Sequence, residues 1–287
     1  MQSKKVDIIM VSLKQRTILR KFSVEGVGIH TGKKAIVDII PADNPNEGIL
    51  FFDKNHKEYQ PIKARALNVV NSTRCTVLGN DKFSVSTVEH FMATVKSFGI
   101  DNLKIYIDAP EMPILDGSAK KWCELFLEAG IKEFDEPIKK VEFSVPLYVE
   151  SGNSSVVAIP SDKLKYTFIF DYPNTIVGTQ IFTFIPSEDD FIKEVASART
   201  FAFYEEINPL LDKGLAKGGD LSNALIIKKD GYMSDLNFDN EPVRHKCLDL
   251  IGDISLCGFN FDAHIIAIRS GHKLNTEFAK HLESKLF

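Results

Sequence analysis

The sequence predicts an α+β fold built from two similar halves. Strand-like and helix-like segments alternate along the 287 residues, but without the regular strand–helix–strand rhythm of a doubly wound sheet. In each half, a helix-like run ends at a glycine and a β-branched strand follows; these runs cover 87–98 and 243–257. We interpret this recurrence as an internal duplication of architecture that is not visible as residue identity.

The other elements follow from apolar alternation for strands and from the apolar period for helices. The predicted strands cover 35–40, 49–52, 103–107, 141–149, 156–159, 166–170 and 264–268, and the further helices cover 119–129, 186–195 and 208–216. A polar, proline-containing stretch at 134–140 separates the halves. We therefore expect one domain at 13–137 and another at 138–287.

Composition excludes several classes of protein. With 35 Lys and Arg against 39 Asp and Glu, the net charge is −4, which does not favour a nucleic-acid partner. The 4 cysteines form no CxxC pair, which argues against a thiolate zinc site and fits a reducing compartment. No run approaches the roughly 18 apolar residues of a transmembrane anchor. Residues 1–13 resemble a signal peptide only faintly and are interpreted as an N-terminal extension. We expect a cytoplasmic monomer.

The most informative segment lies in the run at 243–257. His245, Asp249 and Asp253 follow one another at intervals of four residues, so a helix presents them as one polar stripe between apolar flanks. A buried carboxylate needs a partner or a metal ion. His245 and Asp249 have the spacing with which one helix face can hold an ion. The alternative is an amphipathic helix in which the two side chains only pair with each other.

The first half supplies candidates that would complete such a site. His90 makes a His, His, Asp set with an open position, which is the pattern of catalytic zinc; the alternative is a structural histidine. Glu89 points about 100° away around the helix. It is therefore a candidate general base that reaches a water rather than the ion. The alternative for Glu89 is a capping box with Ser86.

A further histidine follows the predicted strand at 264–268. His272 lies on a glycine-containing segment, which we predict to be a loop. If protonated, it can stabilise negative charge or protonate a leaving amine. Asp253 is placed to orient that imidazolium. The alternative is an ordinary surface histidine.

Seven short motifs occur in order along the chain: Gly26-Val-Gly-Ile-His-Thr-Gly32, Ser86-Thr-Val-Glu-His90, Ala109-Pro-Glu-Met-Pro-Ile-Leu-Asp-Gly-Ser118, Ala198-Arg-Thr-Phe201, Lys217-Gly-Gly219, Val243-Arg-His-Lys246 and Ser270-Gly-His272. Each motif is weak alone, but seven in this order are specific. With them the chain resembles the UDP-3-O-acyl-N-acetylglucosamine deacetylases, zinc amidases of lipid A biosynthesis, from residue 15 to residue 272.

The resemblance implies a fold and a reaction. The fold is a sandwich of two similar sheet-plus-helix domains with the active site between them. The reaction is zinc-dependent removal of the N-acetyl group from an acylated UDP-amino sugar. The implied site residues are zinc ligands His90, His245 and Asp249, general base Glu89, and general acid His272 supported by Asp253.

The resemblance also implies residues that contact the substrate. Thr200 helps to hold the oxyanion, and an insert at 203–227 forms an apolar passage for the acyl chain. The other implied contacts are Lys246, Phe201 on the sugar, Arg269 toward the diphosphate, His30 and Asp116 near the site, and Leu221 in the passage.

Two other functions use the same residue types. Two histidines and one carboxylate also describe the iron site of a non-haem oxygenase, although Glu89 beside the metal favours water activation. A non-catalytic ligand-binding relative is the second alternative. The intact set of Glu89, His90, His245, Asp249 and His272 argues against it.

Overall fold

The computed structural model describes residues 7–285. Residues 1–6 of the predicted N-terminal extension lie outside this range, whereas residues 7–13 belong to the first strand. The strands of the first half are β1 (Asp7–Ile18), β2 (Phe22–Val27), β3 (Lys34–Pro41), β4 (Ile49–Asp53), β5 (Ile62–Lys63), β6 (Val69–Asn71), β7 (Val77–Gly79), β8 (Ser84–Val85) and β9 (Leu103–Ile107). Its helices are α1 (Glu89–Ser97) and α2 (Lys120–Ala129).

The second half is richer in helices. Its strands are β10 (Ile131–Glu142), β11 (Leu147–Ser151), β12 (Ser154–Pro160), β13 (Lys165–Tyr172), β14 (Gly178–Phe184), β15 (Phe201–Phe203), β16 (Leu225–Ile227), β17 (Asn260–Phe261) and β18 (Ala263–Ile268). Its helices are α3 (Glu188–Glu194), α4 (Tyr204–Asp212), α5 (Glu241–Ser255) and α6 (His272–Glu283).

Two five-stranded sheets repeat one topology. Their orders are β2-β3-β9-β4-β5 and β11-β12-β18-β13-β14. In each sheet the central strand is antiparallel to the strand before it in this order and parallel to the strand after it. Helix α1 directly precedes the central strand β9 in the sequence, and helix α5 precedes the central strand β18 with only the short strand β17 between them. The predicted α+β class and the duplicated architecture are therefore confirmed.

The core explains why these segments form. Strand β3 alternates exposed and buried residues, and its inward side chains Val37 and Ile39 are fully buried. Helix α1 packs on the first sheet through Phe91, whose ring lies 6.2 Å from that of Phe51. Helix α5 packs on β13 and β14, and α1 packs on α5. The order of layers is therefore sheet, helix, helix, sheet, and the two central helices meet in the middle.

Close contact between these helices depends on one glycine. A Cβ atom at Gly252 of α5 would lie 2.0 Å from the backbone oxygen of Glu89, the first residue of α1. No residue with a side chain fits there without a shift of one helix. Gly252 therefore allows the start of α1 to lie directly against the middle of α5.

The polar stretch at 134–140, which separates the predicted halves, is part of strand β10. Strand β10 pairs with β1, and Pro137 lies opposite Lys14 at an irregularity in the register. A proline is tolerated there because the regular ladder is already interrupted. Since β10 continues across residues 137 and 138, the two domain ranges stay a prediction.

Three other boundaries differ from expectation. Pro146 divides the predicted strand 141–149 into the end of β10 and the start of β11, because proline lacks the N–H of a ladder bond. Helix α4 begins at Tyr204 rather than at residue 208 and continues through Pro209. The segment at His272 begins α6 and is not a loop.

None of the helices within residues 7–285 has the length and apolar character needed to cross a bilayer.

Candidate active site

A cavity of about 790 Å³ lies between the two halves and the insert. Most predicted site residues line it: Glu89, His90, His245, Asp249, His272, Thr200, Phe201, Lys246, Arg269, His30 and Leu221. Asp253 lies just behind the lining, fully buried, and Asp116 lies outside it.

Three side chains at the bottom of the cavity form a compact group. His90 of α1 and both His245 and Asp249 of α5 are buried, and one ligand atom of each lies within 4.8 Å of the others. The Nε2 atoms of His90 and His245 lie 3.6 and 3.4 Å from the same Asp249 oxygen, Oδ1. The spacing of four residues on α5 therefore brings His245 and Asp249 together, and packing of α1 on α5 adds His90.

The atoms of this group fit a metal ion. Oδ1 of Asp249 is buried and accepts no hydrogen bond from the described residues. The Nδ1–H of His245 donates to the Ala198 carbonyl at 3.0 Å. The proton is therefore on Nδ1, and Nε2 carries the lone pair that can bind a metal ion. Burial lowers the pKa of His245 to about 3, and the imidazole is therefore neutral, as a ligand must be.

The second oxygen of Asp249 has a different partner. Nζ of Lys246 donates to Oδ2 at 2.7 Å. Burial opposes ionisation of Asp249, but the positive charges of Lys246 and His272 outweigh it and hold the pKa of the carboxyl well below its usual value. Asp249 is therefore an anion whose Oδ1 is available to a cation.

Glu89 lies beside this group without belonging to it. Burial raises the pKa of Glu89 above its usual value. Its Oε2 accepts the backbone N–H of Thr76 at 2.9 Å, and its Oε1 lies 4.0 Å from Nε2 of His272. The capping-box alternative is wrong: α1 has no side-chain cap, and the Ser86 hydroxyl donates to the Pro110 carbonyl.

His272 is held by a buried carboxylate. Its Nδ1–H donates to Oδ2 of Asp253 at 3.0 Å, and Asn275 donates to the same oxygen at 2.9 Å. Burial lowers the pKa of His272, but Asp253, Asp249 and Glu89 outweigh it and raise the pKa to about 9. His272 is therefore an imidazolium at neutral pH, facing Glu89 across the site.

The segment carrying Thr200 and Phe201 is fixed to the start of α5. Arg199 donates through its backbone N–H and its guanidinium to Glu241, which is fully buried at the first position of α5. The Ala198 carbonyl that orients His245 belongs to the same segment. Sequence reasoning missed the pair formed by Arg199 and Glu241, because the two lie 42 residues apart.

The glycine-dense loop around His30 is held by Glu111, which sequence reasoning also missed. The buried Glu111 carboxylate accepts the backbone N–H groups of His30 and Thr31 and the hydroxyl of Thr87. A Cβ at Gly28 would lie 2.3 Å from this carboxylate, so any side chain there would have to displace Glu111 from its position. His30 lines the cavity, and its buried Nδ1 has no partner among the described residues. The only sequence signal for Glu111 was its place in the motif at 109–118.

Three residues predicted to contact the substrate are paired within the protein or partly exposed. The guanidinium of Arg269 forms an ion pair with Asp171, although it lines the cavity. The Asp116 carboxylate accepts hydrogen bonds from Ser118. Leu221 lies at the rim and is 48% exposed. Their roles in substrate binding stay predictions.

Fold and site together define a class: a duplicated α+β protein whose central helices carry a candidate metal group with a buried carboxylate and an imidazolium beside it. Such a combination is suited to metal-assisted hydrolysis. The particular family follows from comparison with known proteins.

The model of the UDP-3-O-acyl N-acetylglycosamine deacetylase family matches residues 15–284. The chain is 43% identical over 269 residues to the UDP-3-O-acyl-N-acetylglucosamine deacetylase of Chlamydia trachomatis serovar L2, and this covers 93% of each chain. It is 40% identical over 280 residues to the protein of that name from Chlamydia felis, with 96% of this chain and 99% of the relative covered. It is also 40% identical over 277 residues to that of Chlamydia pneumoniae, with 95% and 98% covered. The chain belongs to the UDP-3-O-acyl N-acetylglycosamine deacetylase family.

Proposed function

We propose that this protein is a zinc-dependent N-deacetylase of lipid A biosynthesis. It would hydrolyse UDP-3-O-acyl-N-acetylglucosamine to acetate and UDP-3-O-acyl-glucosamine. The observation that carries the proposal is the position of Glu89 and His272 beside the group of His90, His245 and Asp249 in one cavity. Family membership supports the choice of substrate, because the relatives are named for it.

His90, His245 and Asp249 are the residues that would hold the zinc ion. When bound, the ion supplies Lewis-acid chemistry, because it acidifies water and polarises a carbonyl. Three protein ligands leave an open coordination position. The same ligands also suit the iron of an oxygenase, but a buried base beside them favours water activation. Metal analysis of the purified protein tests zinc, and oxygen consumption by the iron-loaded protein would favour the oxygenase.

Two side chains of the protein, Glu89 and His272, are the candidates for the two proton transfers of the reaction. Glu89 is the candidate base, because burial raises its pKa and makes it a better proton acceptor than an exposed carboxylate. His272 starts as an imidazolium and is the candidate donor to the leaving amine. Thr200 lines the cavity and is the candidate hydroxyl donor to the oxyanion. An amide needs all three because its carbonyl is a weak electrophile and its amine leaves only when protonated.

The residues that line the cavity suit an acylated sugar. The metal group lies at its buried end, with Phe201 and Lys246 near it. The insert contributes an apolar section lined by Ile207, Leu210, Leu221, Ala224 and Ile226. Burial of a methylene contributes about 0.8 kcal/mol, so this section can bind an acyl chain by the hydrophobic effect.

The decisive test is Glu89→Gln with Glu89→Ala. We expect zinc content to persist, because Glu89 is not among the ligand atoms, and acetate release to fall by about 100- to 10,000-fold, the range for loss of a general base. Glu206→Gln is the matched control, because Glu206 lines the same cavity but pairs with Arg74. Full activity of the Glu89 variants would remove Glu89 from the mechanism. Absence of acetate release by the zinc-loaded wild type would reject the proposed function.

A further inference from the structure

Thr76 connects the two proton-transfer groups of the candidate site. It lies immediately before β7 and is fully buried. Its backbone N–H donates to Oε2 of Glu89 at 2.9 Å, and its hydroxyl donates to Oδ1 of Asp253 at 2.5 Å. One residue of the first half thus contacts a carboxylate of α1 and a carboxylate of α5.

These two bonds close a ring of contacts around the site. Oδ2 of Asp253 accepts from Nδ1 of His272 at 3.0 Å, and Nε2 of His272 lies 4.0 Å from Oε1 of Glu89. The ring therefore runs from Glu89 through Thr76, Asp253 and His272 back to Glu89. Each carboxylate is held at one oxygen by Thr76, so its other oxygen faces His272.

Among the described residues, the Thr76 hydroxyl alone donates to Oδ1 of Asp253. Oδ2 of Asp253 accepts from both His272 and Asn275, whereas Oδ1 accepts from the Thr76 hydroxyl. Without the hydroxyl, the carboxylate is held at one oxygen only and is free to rotate about its terminal torsion, which is broad and roughly two-fold. His272 would follow this rotation, because its own orientation depends on Asp253.

We propose that Thr76 is a positioning residue that sets the geometry of His272 relative to Glu89 across the two halves. This inference rests on the proposed function, in which Glu89 and His272 transfer the protons. Thr76 acts through Asp253 and does not line the cavity. It is therefore expected to affect the rate of the chemical step rather than substrate binding.

The test compares Thr76→Val, which keeps the shape and the backbone N–H, with Thr76→Ser, which keeps the hydroxyl. For Thr76→Val we expect kcat to fall by about 10- to 100-fold, as for other residues that orient a catalytic group, with KM changed by less than about twofold. Thr76→Ser should restore most of kcat. Thr17→Val is the matched control: Thr17 is equally buried and its hydroxyl oxygen accepts a hydrogen bond from the Ala42 N–H, but it lies outside the cavity lining. This control should lose stability and retain kcat.

A second readout does not depend on turnover. In protein with ¹⁵N-labelled histidine, Thr76→Val should shift the Nδ1–H resonance of His272, and Thr76→Ser should return it toward the wild-type position. Thr76→Ala provides the same measurement if Thr76→Val does not fold. An unchanged His272 resonance, unchanged kcat, or an equal loss of kcat in Thr17→Val overturns the proposal. A shifted resonance in a protein that releases no acetate would instead reject the proposed function alone.

Discussion

Burial acts on Glu89 and His272 alike, yet their partners give the two residues different protonation states. Burial raises the pKa of Glu89, because the ionised carboxylate is desolvated. The same burial would lower the pKa of His272, but three surrounding carboxylates raise it to about 9. Around neutral pH the pair therefore offers a carboxyl group with raised basicity opposite a charged acid. Such a separation of roles by environment is typical of catalytic acid–base pairs.

At the same scale, Leu221 is expected to influence the length of the acyl chain. It lines the apolar section, and a larger side chain would shorten the space available. For Leu221→Phe, loss of room for two methylenes corresponds to about 1.6 kcal/mol, so the kcat/KM ratio of longer to shorter substrates should fall by about tenfold. The measurement is kcat/KM across a series of acyl lengths.

Leu211→Phe is the control for this series. Leu211 is 45% exposed, close to the 48% of Leu221, and belongs to the same insert, but it does not line the cavity. Its variant should keep the wild-type order of substrates. An unchanged order in Leu221→Phe would place the acyl chain elsewhere.

At the scale of elements, the contact between α1 and α5 builds the site. Helix α5 presents His245, Asp249 and Asp253 on one face, and α1 brings Glu89 and His90 at its first turn. The distance between the helices is set by Gly252, whose missing side chain admits the Glu89 backbone. The four-residue spacing along α5 and the glycine at its contact with α1 thus bring five functional groups together.

Gly252→Ala tests this contact. Alanine favours a helix over glycine by about 1 kcal/mol, but its Cβ would lie 2.0 Å from the Glu89 oxygen. Because α1 has to shift, we expect a net loss of about 1–3 kcal/mol in the free energy of unfolding together with reduced kcat. Denaturant unfolding and acetate release measure the two effects. Gly231→Ala is the control, since nothing lies within 4 Å of its Cβ position. Wild-type stability and activity in Gly252→Ala would show that the helices tolerate the methyl group.

The site was predictable where it depends on local geometry. Residues four apart on a helix share a face, so the grouping of His245 with Asp249 follows from the sequence. His90 is predicted as the third ligand that completes a His, His, Asp set, and its proximity to His245 and Asp249 is confirmed. Thr76 could not be found in this way, because it lies 177 residues from Asp253 in sequence and its bond depends on tertiary packing.

The fold was likewise predictable for elements with a clear local pattern and not for elements that depend on distant parts of the chain. Strands such as 103–107 and helices such as 119–129 are found within a residue of their predicted positions, because their apolar periods are clear. Strand β10 was missed because its side chains are mostly half-buried or exposed, and its strand state depends on distant pairing with β1. Helix α6 was not predicted, and the glycine that precedes it, Gly271, gives no capping side chain to mark its start.

At the scale of the whole molecule, the candidate metal group joins the two halves. His90 belongs to the half that carries the first five-stranded sheet, whereas His245 and Asp249 belong to the other half. The sheet formed by β1, β10 and β17 and the ion pair between Arg65 and Glu283 also connect distant parts of the chain. A metal ion bound by ligands of both halves would stabilise the folded state, because the unfolded chain does not bring these ligands together.

If His90, His245 and Asp249 hold the proposed zinc ion, its removal should lower thermal stability as well as activity. For metal at about 1,000 times its Kd, binding contributes about 4 kcal/mol to the folded state, which corresponds to a Tm shift of roughly 10 °C for a chain of this size. Treatment with a chelator should lower Tm by about this amount and abolish acetate release, and added zinc should restore both. In His90→Ala, which removes the ligand of the first half, Tm should respond little to the chelator, because the bridge between the halves is already broken. An equal response of Tm in wild type and His90→Ala would show that the metal stabilises the protein without His90.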